Sequence, residues 1–305
     1  VFLEHFGLDR DPFGVTADAR YLYFSREHKE ALSALYLSVL EGRGLCALIA
    51  NAGMGKTTLL RYLASRLAGK TSVAFLSHPY RSPRDLMRDV LERLGLPGED
   101  SEFHQMRRIE QHLAGLRRNG SKMVLLFDEG QALSQEALEQ IRLLSNLRSS
   151  NMNLLEIVLA GQQELEELLE GPQMEAFRQR ISVVARVDPF DEAEVDRYLR
   201  RRLAVAGREE ELFDSSAVAE VTAIAGGIPR NINHLCYKAL ALAWADGDDR
   251  VTARSVEEAG RDLGWLLTAS HQQEGGELRA EPGRSDTLQP AVGPGGPGGY
   301  GAEVQ

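Results

Sequence analysis

Two cysteines in 305 residues are too few for a disulfide scaffold, and both Cys46 and Cys236 stand in apolar patterns that predict small, buried, unpaired thiols. The seven histidines show no spacing suited to metal ligation. No apolar run approaches the ~18 to 20 residues that cross a bilayer. The start, Val1-Phe2-Leu3-Glu4-His5, lacks the basic and apolar regions of a secretory leader, so a cytoplasmic protein without a direct membrane span is expected. Positive charge is also short. With 35 Lys and Arg against 45 Asp and Glu, the net charge of −10 disfavours a broad surface that coats nucleic acid, whose affinity comes from neutralised phosphates. Local basic runs remain at Arg107-Arg108, Arg117-Arg118 and Arg200-Arg201-Arg202. No internal repeat is visible.

What is present is an ordinary globular composition, 43% hydrophobic and 26% charged, in a chain long enough for one large α/β domain and a smaller second one. The most informative stretch is Ala50-Asn51-Ala52-Gly53-Met54-Gly55-Lys56-Thr57-Thr58. It follows the apolar run Leu45 to Ile49 and precedes the helical pattern Leu59-Leu60-Arg61-Tyr62-Leu63. A buried strand that turns through small residues into a helix presents free N–H groups and a positive dipole end to the turn, which suits phosphate. The pattern GxxxxGK[ST] is matched at Gly55, Lys56 and Thr57, with Ala50 where the first glycine would stand. That glycine grants backbone freedom, and alanine suffices if φ stays negative. Lys56 then reaches the β- and γ-phosphates of a nucleotide, and Thr57 supplies a hydroxyl to Mg²⁺.

Around this loop the chain reads as alternating strands and helices. An aromatic and proline-bearing arm, Phe2 to Tyr23, precedes a helix capped by Ser25, with Leu32, Leu35, Tyr36, Val39 and Leu40 as its stripe. Ser72 to Leu76 reads as a buried strand, Ser82-Pro83 opens a helix, and Phe103, Met106, Ile109, Leu113 and Leu116 mark another. Met123 to Phe127 is a third strand, followed by a helix from about Ser134 to Leu147 and strands at Leu154 to Ala160 and Ser182 to Val187. Beyond Pro189 the pattern is wholly helical, and from about His271 the periodicity gives way to Pro and Gly. The expected division is a nucleotide-binding core over 1–189, a helical domain over 190–267 and a disordered tail over 268–305. The alternation predicts a mostly parallel sheet covered on both faces.

The third strand ends in Asp128-Glu129. Downstream of a phosphate loop, an acidic strand end places one carboxylate on Mg²⁺ and a second near the attacking water, which assigns Asp128 to the metal and Glu129 to the general base.

Several segments together resemble a known family. Phe6-Gly7-Leu8 with Pro12-Phe13, Leu22-Tyr23-Phe24-Ser25 with His28, the loop Gly53 to Thr58, Phe127-Asp128-Glu129, Ile141 to Asn146, Leu159-Ala160-Gly161-Gln162 and Gly226 to Asn233 are similar to the cytoplasmic AAA+ ATPase domain of general secretion pathway protein A. The resemblance spans about residues 1 to 267. It implies a P-loop AAA+ core with a five-stranded parallel sheet in the order 5-1-4-3-2, a small all-helical lid, and Mg²⁺-dependent ATP hydrolysis coupled to assembly. Met54 and Thr58 belong to the loop that it places around the phosphates. It puts Gln162 at the sensor that orients water or the γ-phosphate, and Arg230 at a second sensor on the lid. It also implies a homo-oligomer, ring or filament, in which a cationic finger reaches the neighbour's ATP. Arg180 is the preferred finger, with Arg178, Arg142 and Arg148 as competitors, and such a group is worth roughly 10³ to 10⁵ in rate.

Family members commonly continue into a membrane-spanning helix and a periplasmic part, and the expectation here is the ATPase part alone. The implied partner is an envelope, secretion or exopolysaccharide-export apparatus, reached peripherally at the inner membrane. Two alternatives stand beside this reading. One is an ATP-dependent DNA adaptor of the transposition kind, against which the acidity of the chain weighs. The other is a nucleotide switch that does not hydrolyse, against which Glu129 weighs.

Overall fold

The computed structural model describes residues 2–14, 19–69, 71–78, 80, 82–98, 101–149 and 152–266, so the expected tail over 268–305 lies outside the described residues. In chain order the elements are α1 (Phe2–His5), α2 (Arg26–Glu41), β1 (Leu45–Ala50), α3 (Lys56–Leu67), β2 (Thr71–Leu76), α4 (Pro83–Arg93), α5 (Glu102–Arg118), β3 (Lys122–Phe127) and α6 (Gln135–Ser145). They continue with β4 (Arg148–Ser149), β5 (Met152–Asn153), β6 (Leu155–Gly161), α7 (Gln163–Glu170), α8 (Glu175–Arg178), β7 (Ile181–Val187), α9 (Glu192–Val205), α10 (Ser215–Ala225), α11 (Pro229–Asp246) and α12 (Ala253–Asp262).

Five strands form one sheet in the order β2-β3-β6-β1-β7, and every neighbouring pair is parallel. Counted among themselves, these strands have the order that the family resemblance implied. Alternate residues of β1 serve opposite faces, as the two-residue period of a strand requires. Cys46, Leu48 and Ala50 join a cluster with Leu35 and Val39 of α2 and Leu59 and Leu63 of α3. Leu45 and Ile49 join a second cluster with Leu86 and Val90 of α4 and Leu138 and Ile141 of α6. With both faces covered, β1 and β6 are buried along their whole length, and β1 reads as an unbroken apolar run while β6 is broken only by Glu156.

Helix starts follow local chemistry. Ser25, Ser82, Ser134, Asp191 and Asp214 each accept a hydrogen bond from a backbone N–H in the first turn of α2, α4, α6, α9 and α10, a contribution of about 1 kcal/mol apiece.

The structure corrects several expectations. β2 is an edge strand, and only Ala74 and Leu76 within it are buried, because one side has no neighbouring strand and polar Thr71 and Ser72 open it. Phe103 is 68% exposed, since it lies six residues before buried Ile109 and thus ~120° around α5 from it. The arm contains the short helix α1, and α7, α8 and the small ladder of β4 with β5 occupy stretches that had no expected element. The basic run Arg200-Arg201-Arg202 divides between surface and interior: Arg200 pairs with Asp196 and Glu211, while Arg202 is buried.

The helices α9 to α12 pack on the rest through the same cluster that covers α2 and α3, which runs unbroken across the expected boundary at 189/190. Phe190 sits at the crossing. Its N–H donates to the Gly227 carbonyl at 2.9 Å. A Cβ on Gly227, whose φ is +69°, would lie 2.2 Å from the Phe190 carbonyl oxygen, so only glycine permits this approach.

One buried carboxyl lies away from this junction. Glu156 on β6 is 2% exposed, and its Oε2 accepts from the Gly44 N–H at 2.7 Å. Burial pushes its pKa from 4.5 up to about 7, against the pull of that N–H and of the Lys122 and Arg117 charges. Between those two values the folded chain keeps a proton that the unfolded chain has lost, so this group makes stability fall as pH rises from 4.5 to about 7. Glu156→Gln keeps the acceptor and removes the titration. The variant is expected to unfold at higher denaturant than wild type at pH 8, by ~2–3 kcal/mol, with the gap closing by pH 4.5. A difference that does not vary with pH would refute the assignment.

Candidate functional site

The turn after β1 has the shape that its small residues predict. Gly53 and Gly55 adopt φ of +84° and +87°, a region that side-chain-bearing residues avoid. Ala50 is the last residue of β1 and is not in that region, so alanine carries no penalty where the phosphate-loop pattern has its first glycine. A Cβ on Gly53 would stand 2.8 Å from Arg230 Cβ and 3.0 Å from Ile228 Cγ2, so the loop packs directly on the start of α11. Thr57 and Thr58 lie in the first turn of α3, where backbone N–H groups lack intrahelical acceptors.

Lys56, 7% exposed, folds back over this loop and donates from Nζ to the Ala50 and Asn51 carbonyls at 2.9 and 3.2 Å. Burial lowers its pKa, Glu129 and Asp128 oppose that, and Arg230 adds to it. A buried ammonium with a guanidinium nearby favours the arrival of an anion.

Two neighbouring strand ends bring acids and amides to the loop. Asp128, buried just beyond β3, is held by its N–H on the Leu76 carbonyl at 2.9 Å and accepts from Thr57 Oγ1 at 2.5 Å. Among the described residues Glu129 alone is a non-glycine with positive φ, at 56°. This left-handed backbone marks a strained position of the kind found at functional sites. Gln162, beyond β6, directs Nε2 at Glu129 Oε2 across 3.4 Å, and Gln131 Nε2 donates to the same oxygen at 2.5 Å. The Gln162 N–H in turn donates to Gln131 Oε1 at 3.1 Å.

These groups edge a cavity of about 790 Å³. Gly53, Met54, Gly55, Lys56, Thr57, Thr58, Glu129, Gln162 and Arg230 all line it, and buried Asp128 reaches it through its contact with Thr57. Tyr23, Phe24, Tyr62 and Phe190 give it an aromatic wall. Arg180 is not among the lining residues. Its Nη2 donates to the Ser145 carbonyl at 3.3 Å, its buried Nε has no partner, and burial together with Arg148 and Arg142 depresses its pKa.

Sequence reasoning missed three lining or supporting residues. His28, buried, places Nε2 2.8 Å from the Met54 carbonyl and Nδ1 2.8 Å from the Ser25 hydroxyl. A carbonyl only accepts, so Nε2 carries the proton. Burial pushes the imidazole pKa down, which favours the neutral ring, with Nδ1 turned to the Ser25 hydroxyl. His28 thus fixes the crest of the loop to the start of α2. Gln131, which braces Glu129 and Gln162, and Asn233, one turn beyond Arg230, were the others. His28 and Asn233 lay inside segments quoted for the family resemblance, which was their only signal.

A loop of this form can hold polyphosphate on backbone N–H groups and Lys56. The Thr57 hydroxyl beside the Asp128 carboxylate is an oxygen donor set suited to a small divalent cation that retains water. Among the described residues no cluster of three or more His, Cys, Asp or Glu competes for a metal. Nor is any helix there long and apolar enough to cross a membrane.

Residues 39–169 match the family model described as an AAA domain. Over 277 residues the chain is 33% identical to general secretion pathway protein A from Aeromonas hydrophila, covering 90% of this chain and 51% of that protein, so it spans about half the length of this curated relative. Among solved structures it is similar to Drosophila ORC bound to DNA, with 18% identity, a TM-score of 0.65 and coverage of 88% of this chain and 67% of that one. It is also similar to Cdc6p from Pyrobaculum aerophilum, with 16% identity, a TM-score of 0.60 and coverage of 84% and 74%. At such identities these two bear on the fold alone. Residues 39–169 thus match an AAA domain, and over nine tenths of its length the chain is similar to general secretion pathway protein A.

Proposed function

We propose that the chain is a Mg²⁺-dependent AAA+ ATPase that couples ATP hydrolysis to assembly of a secretion or exopolysaccharide-export apparatus of the cell envelope. The observation that carries the hydrolytic half is the meeting of Lys56, Thr57 with Asp128, and Glu129 with Gln162 at one edge of one sheet. The coupling half rests on the likeness to general secretion pathway protein A.

In this reading the N–H groups around Gly53, Met54, Gly55 and Thr58 cradle the phosphates, and Lys56 reaches the β- and γ-oxygens. Thr57 and Asp128 hold Mg²⁺, which supplies positive charge to the phosphoryl oxygens. Glu129 takes a proton from a water whose oxygen attacks the γ-phosphorus, while the bond to the β–γ bridging oxygen breaks and ADP leaves with the electron pair. Gln162, tied to Glu129, orients that water. Residues 1–189 act as the core and 190–267 as a lid, with Arg230 sensing the γ-phosphate from the lid side. Arg180, away from its own cavity, acts on the ATP of a neighbouring copy in a homo-oligomer. A cytoplasmic site of action, peripheral at the inner membrane through a partner, completes the proposal.

Lys56→Ala is expected to abolish tight ATP binding, and Glu129→Gln to keep binding while slowing turnover by about 10²–10⁴-fold. Phosphate release and nucleotide binding measured on both variants check this, and turnover that survives both changes would overturn the site. Arg180→Ala should slow hydrolysis by roughly 10³–10⁵-fold without loss of ATP binding. Mixing Arg180→Ala with Glu129→Gln should restore part of the activity, because some interfaces then pair an intact Glu129 with an intact Arg180. No recovery on mixing would exclude action on a neighbour.

A further inference from the structure

Along one wall of the cavity, a chain of hydrogen bonds runs inward from the N-terminal arm. Arg202 donates from Nε to the Pro12 carbonyl, and its guanidinium lies over the Tyr21 ring, 4.7 Å from the centroid. From Nη1 it donates to the Tyr198 hydroxyl at 3.1 Å. Tyr198 in turn stands 2.8 Å from Asn233 Oδ1. Tyr21, Tyr198, Arg202 and Asn233 all line the cavity.

The direction of this chain follows from its first member. A guanidinium can only donate, so the Tyr198 oxygen accepts from Arg202 and spends its single proton on the next group. That group must accept, which fixes the Asn233 amide with Oδ1 toward Tyr198 and Nδ2 away from it. Burial raises the Tyr198 pKa, so the phenol keeps that proton at neutral pH. Asn233 is one helical turn beyond Arg230 on α11, and Arg230 packs on Gly53 of the loop. Asn233 thus lines the same cavity as the loop, one helical turn from the residue that packs on it.

We propose that Asn233 is a specificity-determining residue that donates one hydrogen bond from Nδ2 to an acceptor atom of the nucleoside, and that Tyr198 and Arg202 are positioning residues that lock its amide in the donating orientation. The acceptor is a ring nitrogen of the purine or a ribose hydroxyl oxygen. The proposal rests on the reading of this cavity as a nucleoside triphosphate site. It goes beyond that reading by assigning the hydrogen-bond sense of one side chain.

The test uses the full chain and measures competition against a fluorescent ATP analogue. The competitors are ATP, its 1-, 3- and 7-deaza forms, its 2′- and 3′-deoxy forms, and inorganic tripolyphosphate. Wild type should lose about tenfold in affinity for one of the five modified nucleotides, the value of one hydrogen bond, and the position of that loss names the acceptor. Asn233→Leu should bind ATP about tenfold more weakly and no longer distinguish that analogue from ATP. Asn233→Asp, which still accepts from Tyr198 but has no proton to give, should lose at least as much. Tyr198→Phe should fall between wild type and Asn233→Leu. Tripolyphosphate should bind all four proteins equally.

Wild type indifferent to every analogue, or Asn233→Leu retaining the penalty, overturns the proposal while leaving the ATP site in place. A parallel loss of tripolyphosphate binding in both Asn233 variants overturns it too, because the residue then only supports the fold. Wild type that binds neither ATP nor tripolyphosphate defeats the ATP-site reading itself.

Discussion

The parallel register of β3, β6 and β1 is the constraint on which the site depends. Parallel pairing makes all strands end at the same edge of the sheet, so whatever follows each strand meets there. Phe127 stands beside Leu159, and Ile49 beside Gly161, which brings Asp128, Gln162 and the loop after Ala50 to one line. A slip of one residue in β3 would move Asp128 by ~3.3 Å along the strand and turn its side chain to the other face. The contact between Thr57 and Asp128 would not survive it. The two hydrophobic clusters forbid the slip, because alternate residues of each central strand are already committed to opposite faces.

Much of this was legible in the residues alone. The central strands announce themselves as largely apolar runs because both faces are covered, and the loop does so through glycines whose positive φ no other residue supplies cheaply. The replacement of the first glycine by Ala50 is harmless for a reason that sequence could state only as a condition. Less legible was whatever depends on position in the sheet or on distant partners. Thr71–Leu76 looks like any short apolar strand until its edge position leaves half of it in contact with water. Arg202 sits in a run of three arginines, and nothing local distinguishes the one that turns inward to Pro12 and Tyr198 from Arg200, which faces carboxylates. His28 and Met54 are 26 residues apart, and their hydrogen bond is fixed by how α2 packs on α3.

The site is assembled against local preference at two points. Glu129 holds a left-handed backbone, which costs a side-chain-bearing residue ~1–2 kcal/mol. Lys56 keeps its charge in a buried place that disfavours it. Both costs are borne by the surrounding packing, and both orient functional groups toward the cavity before any ligand arrives. Gln131 and His28 are the braces in this arrangement, one gripping the carboxylate and the other the crest of the loop.

The close approach of Gly227 to Phe190 has a mechanical consequence. It leaves the turn before α11 pinned at one backbone contact, a few residues from where Ile228 and Arg230 rest on Gly53. The 18 residues of α11 make a rigid rod ~27 Å long that starts at this pin. Tilting the rod by ~5° would carry its far end through ~2 Å while shifting the side chains near the loop by only tenths of an ångström. A shift of tenths of an ångström beside the loop is thereby geared up, roughly tenfold, at the far end of α11.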